Sequence, residues 1–200
     1  MIRRLRLDRS GASAVEFALV LPLLLLLLFG IIDAGRFLWE VNKAEKATQV
    51  GARVAVVTDP LPPGLVTAGY VGVGGLTQGD VIPASALGLV TCTNTGCTCT
   101  TSPCPTLGTM VPANFTRIYN RMRAMKRDIT QSNVRVTYRG SGLGYAGDPD
   151  TTKPEIAPLI TVQLTGVQFR PAIGLVLRSV TLPDFRTTLT AEDGVGTVSN

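Results

Sequence analysis

The hydrophobic and polar positions of this chain fall into three regimes. The first is a continuous apolar run: no charged residue occurs from Phe17 to Ile32, and Leu23 to Leu28 is unbroken leucine. Extended back to Ala12, the run covers roughly 31 Å as a helix, enough to cross a bilayer core. The second regime, from Asp33 to about Val57, has helical period. Phe37, Val41, Ala44, Thr48, Ala52 and Ala55 share one side, and Arg36, Glu40, Lys43, Glu45, Lys46 and Arg53 supply the other. Trp39 lies just past the apolar run, where interfacial aromatics are common. Asp59-Pro60 and Pro62-Pro63-Gly64 stop the helix. One helix of about 45 residues, roughly 68 Å long, is therefore expected, with its first half in lipid and its second half packed on a domain. Pro22 falls inside it and leaves the Ala18 carbonyl without a donor, which predicts a kink.

The third regime follows residue 60. Residues 60–113 are rich in Gly, Pro, Thr and Ser, so a loop-rich region is expected, with short strands at Val71–Val73 and Leu87–Cys92. Pro112 to Ile129 reads as a second helix. Phe115, Ile118, Tyr119, Met122, Met125 and Ile129 form its core stripe, and Arg117, Arg121, Arg123, Lys126 and Arg127 form a solvated face. Period two then takes over in Val134–Arg139, Leu159–Phe169 and Phe185–Ala191. Gly140 to Pro158 is a long loop, and Ile173–Leu182 is either a helical turn or a buried loop. Three antiparallel strands against the Phe37–Val57 helix make a small α+β head.

Charge refines this picture. Lys and Arg number 19 and Asp and Glu 14, but Arg3, Arg4, Arg6 and Arg9, with Asp8, lie in residues 1–11, leaving 15 against 13. The basic excess is thus a topology signal holding the N-terminus in the cytoplasm, and no nucleic acid partner is implied. Histidine is absent, which excludes Ser-His-Asp and Cys-His catalysis and His-liganded metal. Cys92, Cys97, Cys99 and Cys104 are spaced C-x4-C-x-C-x4-C, without the C-x2-C knuckles of zinc sites. In an exported region they read as two disulfides, in either pairing that avoids the very tight Cys97–Cys99 ring. Asp148, Asp150 and Glu155 share a loop, but their spacing does not match the twelve-residue calcium loop. No cofactor or metal is expected.

The start of the apolar run carries candidate chemistry. Ile32-Asp33-Ala34 is a poor signal-peptidase site. A cut at Gly11/Ala12 instead would leave a free amine on Ala12, four residues from Glu16 and on the same helix face. A carboxylate at the bilayer edge is tolerated when an ammonium from its own or a neighbouring chain neutralises it; the alternative is that Glu16 only snorkels to the headgroups.

Gly11-Ala12-Ser13-Ala14-Val15-Glu16-Phe17 resembles the cleavage motif of prepilins of the Tad (tight adherence, Flp) type IV-like pilus system. Its continuation through Pro22-Leu23 and Phe29-Gly30-Ile31-Ile32-Asp33-Ala34-Gly35-Arg36 resembles TadE-like pseudopilins, over about residues 9–57. The resemblance implies cutting by a membrane prepilin peptidase at Gly11–Ala12, with Glu16 and Phe17 in the Glu-Phe/Tyr positions, and it favours the pairing role for Glu16. It further implies a non-enzymatic minor pilin that joins other Tad pilins and the pilus assembly platform in an oligomeric assembly.

The expected organisation is a cytoplasmic basic leader (1–11), a transmembrane helix segment (12–32), its amphipathic continuation (33–57) and an exported α+β head (58–200) bearing the 60–113 insert. This is a pilin-like fold, single-pass in a bacterial inner membrane with the head outside the cytoplasm, and possible entry into an extracellular pilus follows from the resemblance. The competing expectation is an uncleaved single-pass anchor carrying a disulfide-bonded binding module. An exported enzyme using Asp148, Asp150 and Glu155 is the least supported reading.

Overall fold

The computed structural model describes residues 12–150, 152–172 and 178–191. The leader 1–11, including Gly11, and residues 173–177 of the stretch 173–182 lie outside the described residues. The first element is one helix, α1 (Ala12–Val56), continuous through Pro22. A second helix, α2 (Pro112–Met125), follows the Gly- and Pro-rich region and opens with proline, whose missing donor costs nothing in the first helical turn.

Five strands form one antiparallel sheet: β1 (Leu89–Thr93), β2 (Gly96–Thr101), β3 (Val134–Arg139), β4 (Leu159–Leu164) and β7 (Phe185–Thr190), in the order β2-β1-β3-β4-β7. Two short strands, β5 (Gln168–Phe169) and β6 (Val180–Thr181), pair separately. The class is α+β, with a long N-terminal apolar helix and a small antiparallel sheet, compatible with a pilin-like fold. The chain divides into two compact units, one from residues 1–40 and 168–180, the other from 41–167 and 181–200.

In the second unit the sheet register explains which side chains are buried. Cys92, Val136 and Val162 are aligned and buried, and beside them Val90, Tyr138 and Ile160; their partners on the edge strand β7, Thr187 and Leu189, are half-buried and exposed. Period two places both rows on one face. Against this face lie Ala44, Ala47, Thr48, Ala52 and Ala55 of α1 and Phe115, Ile118 and Met122 of α2, all buried. Two polar ties cross the packing. The Thr48 and Thr187 hydroxyls are 3.0 Å apart, and the Leu61 N–H donates to the buried Tyr138 hydroxyl at 3.0 Å. The opposite face carries a row of threonines running through every strand of the sheet: Thr98, Thr91, Thr137, Thr161 and Thr188. Thr98 and Thr188 at the edges are exposed while Thr137 at the centre is buried, and the hydroxyls bond across strands, as between Thr161 and Thr188 at 2.7 Å.

Several expectations need correction. Val71–Val73 is a turn running into a short 3-10 helix at Val73–Gly75, because Gly72, Gly74 and Gly75 all take positive φ, which turns the backbone out of an extended path. The sheet has five strands rather than three, since the cysteine-bearing segment supplies the β1–β2 hairpin and β1 pairs directly with β3. The second helix ends at Met125: Lys126 is extended (φ −133°, ψ 99°), and Ile129 is buried from outside the helix. Lys126 is buried rather than solvated, with its ammonium 2.9 Å from the Asp128 carboxylate. The run Leu159–Phe169 is broken into β4 and β5 by a turn at Gly166.

Candidate functional site

The residues with candidate chemistry lie at the start of α1. Ala12 is the first residue of the helix, and Glu16 and Phe17 lie within its first two turns, both exposed. Their spacing puts residues 12 and 16 on one face, as expected for i and i+4. From Val15 to Ile32 the large apolar side chains other than the half-buried Leu21 are open to the surroundings, with Leu19 at 70% and Leu23 at 69% exposure. A folded protein in water does not leave a surface of this kind uncovered. α1 is the one described helix long and apolar enough to cross a membrane, and none of its most apolar stretch is buried within the protein.

The four cysteines are paired in sequence order, Cys92–Cys97 and Cys99–Cys104. The register explains the first pair: Cys92 and Cys97 face each other across the β1–β2 hairpin with Cα atoms 4.0 Å apart. The second bridge ties the end of the hairpin to Cys104, where the chain leaves the sheet edge. The bridges therefore brace an edge of the sheet, and their sulfurs are not available as metal ligands.

The acidic loop is dispersed by its own hydrogen bonds. Asp148 accepts from the Asp150 N–H at 2.9 Å, and Asp150 accepts from the Thr152 N–H at 3.0 Å and lies 3.6 Å from the Lys153 ammonium. The Thr152 hydroxyl and N–H hold the Asp150 carboxyl below its usual range. Glu155 turns elsewhere and accepts the Tyr70 N–H at 2.9 Å. Among the described residues no three His, Cys, Asp or Glu side chains are grouped to hold a metal. A cleft of about 490 Å³ lies beside this loop, lined in part by Pro60, Tyr145, Asp148, Lys153, Glu155 and Pro158.

Two buried phenols are the most perturbed titratable groups outside the apolar helix. Burial, assisted by the nearby Glu155 charge, pushes Tyr70 up to about 12 from an ordinary value of 10.0. Burial also raises Tyr138, opposed in part by the Leu61 N–H. Sequence reading missed Tyr70, which sits in a glycine-rich loop, while alternation along Val134–Arg139 placed Tyr138 on the apolar side of its strand without marking its hydroxyl. Because the folded state favours the neutral phenol, this stabilisation is complete below pH 10 and is lost as pH rises towards 12. Denaturant midpoints measured from pH 8 to pH 12 are therefore expected to fall above pH 10. Tyr70→Phe should flatten that fall.

These features define an α+β protein whose one described apolar N-terminal helix fits a membrane anchor. Residues 11–53 match the family model described as TadE-like protein, which bears out the resemblance over that segment. The match includes Gly11, Ala12, Glu16 and Phe17 and stops before the end of α1. The sheet, α2 and both disulfides lie outside it. No curated protein and no solved structure matches the chain.

Proposed function

We propose that this protein is a minor pilin or pseudopilin of a Tad-type pilus, with a structural rather than enzymatic role in pilus assembly and surface adherence. The observation that carries the reading is the start of α1: a TadE-like segment beginning at Gly11, an uncovered apolar helix, and one acid four residues after Ala12. In this reading the basic leader stays in the cytoplasm and the sheet-bearing part is exported, where its cysteines oxidise. A membrane prepilin peptidase cuts Gly11–Ala12. The new Ala12 ammonium then lies beside Glu16 of its own or a neighbouring chain, and the apolar helices pack together with those of other Tad pilins on the assembly platform.

The mass of the mature membrane form tests this reading. In cells with the matching peptidase, the N-terminus is expected at Ala12, and Gly11→Leu is expected to leave the leader attached. A second reading draws on the family match ending at residue 53 while the disulfide-braced sheet lies beyond it: an uncleaved anchor carrying an exported binding module. A mature protein that always retains its arginines would favour that second reading and overturn the first.

A further inference from the structure

Within the unit formed by residues 1–40 and 168–180, the chain comes back to α1 at one level, just past the apolar run. The Asp33 carboxylate accepts from the Arg36 guanidinium at 2.8 Å and from the Ala172 backbone N–H at 2.8 Å. Arg36 also donates to the Arg170 carbonyl at 3.4 Å and lies 5.6 Å from the centre of the Phe169 ring. That ring meets Phe37 edge-on, with centroids 5.5 Å apart. Asp33 is only 7% exposed, whereas the Arg36 side chain is 49% exposed and Arg170 is also exposed. A carboxylate next to a lipid-type surface is costly unless its charge is met, and here a guanidinium and a backbone amide meet it.

The neighbouring side chains of α1 fix the level of this latch. Ile32, the last residue of the apolar run, is 45% exposed, while Leu38 and Trp39, on the far side of the latch, are 61% and 63% exposed. Ile32 and Trp39 are separated by roughly 10 Å along the helix axis, a distance on the scale of one polar layer of a bilayer. The latch is thus bracketed by an acyl-type side chain below and an interfacial tryptophan above. Guanidinium groups bind phosphodiesters through paired N–H donors and retain their charge in such a setting.

We propose that the protein meets the bilayer twice, through α1 and through Phe169–Ala172, which the Asp33–Arg36 latch holds in the headgroup layer with the exposed Arg170 turned to lipid phosphates. The inference rests on the membrane-spanning reading of α1. It adds a second contact that would fix the depth and rotation of the helix where it leaves the membrane.

The test uses the full chain in vesicles of phosphatidylcholine and phosphatidylglycerol carrying a spin label on either the headgroup or the deep acyl chain. Trp39 is the sole tryptophan, so Trp39→Phe clears the background for one new reporter at a time. Leu28→Trp is expected to be quenched by the deep label and Ala172→Trp by the headgroup label. Adding Asp33→Ala should abolish the quenching at 172 and leave that at 28 intact. If Leu28→Trp is quenched while Ala172→Trp stays at the level of unlabelled vesicles, the second contact is overturned and the anchor survives. Shielding of Ala172→Trp from both the lipid label and acrylamide would place protein over the latch and overturn the proposal equally. A Leu28→Trp protein untouched by either label would instead remove the membrane reading itself.

Discussion

Gly51→Leu is expected to destabilise the sheet-bearing unit by about 3 kcal/mol or more, at the upper end of the usual cost of overpacking a core. A Cβ built on Gly51 would lie 2.7 Å from Met122 Cγ, 2.9 Å from Met122 Sδ and 3.1 Å from Val162 Cγ1. The position is buried where α1, α2 and β4 converge, so the added atoms have no free direction. Helix propensity works the other way, since glycine inside a helix costs about 1 kcal/mol relative to alanine. Gly51→Ala should therefore nearly balance: methionine yields more readily than backbone, and the propensity gain offsets part of the overlap. Leucine adds three more carbons, and the overlap term wins. Urea midpoints of the detergent-solubilised full chain measure the difference. Met122→Ala placed on top of Gly51→Leu should recover part of the loss, because truncating methionine opens the space leucine needs. The two changes are then non-additive, as expected for side chains in contact.

That contact shows how far the sequence could be read. The stripe Phe37, Val41, Ala44, Thr48, Ala52 and Ala55 was legible because helical period is local, and its alanines are fully buried. The reason those residues are small was not legible. Small side chains let α1 approach both the sheet and α2, and that spacing depends on the partner rather than on the helix. Gly51 sits inside the same stripe and gave a signal only as an isolated glycine in a helical pattern, which often marks a close approach.

Strands β3, β4 and β7 were legible from alternation, although Thr137 in β3 is buried and Leu189 in the edge strand β7 is exposed. Strand β1 (Leu89–Thr93) was legible as the short strand expected at Leu87–Cys92, whereas its partner β2 was obscured by composition. In Gly96-Cys97-Thr98-Cys99-Thr100-Thr101 the alternating partners of threonine are cysteines, which read as disulfide chemistry in a loop. In the fold Cys92 is a fully buried core residue and is also half of a bridge. The segment that reads as an insert therefore supplies one edge of the sheet. The break at Gly166 and the end of α2 at Met125 are boundary errors of the usual kind, set by tertiary packing. The candidate residues Ala12, Glu16 and Phe17 come from the sequence alone, because a charge inside an apolar run requires no knowledge of the fold to be noticed.

Glu16→Ala is expected to leave cutting at Gly11–Ala12 intact and to reduce assembled pilus to the level of cells lacking the protein. The physical argument separates two properties of the same helix. Membrane insertion depends on apolar length, and removing the only charge between Ala12 and Ile32 makes the run more apolar, so insertion should not suffer. Assembly in this reading depends on a carboxylate positioned for a newly formed ammonium, and alanine cannot supply it. Glu16→Gln keeps the shape and removes the charge, so it should behave like alanine if electrostatics dominates. Glu16→Asp keeps the charge on a shorter stem and should retain part of the function. Cell-surface pilus counts, read beside the mass of the membrane form, distinguish the steps. A retained leader in Glu16→Ala would move the role of this acid to peptidase recognition. Normal pili in both Glu16→Ala and Glu16→Gln would leave the carboxylate with nothing more to do than reach the headgroups.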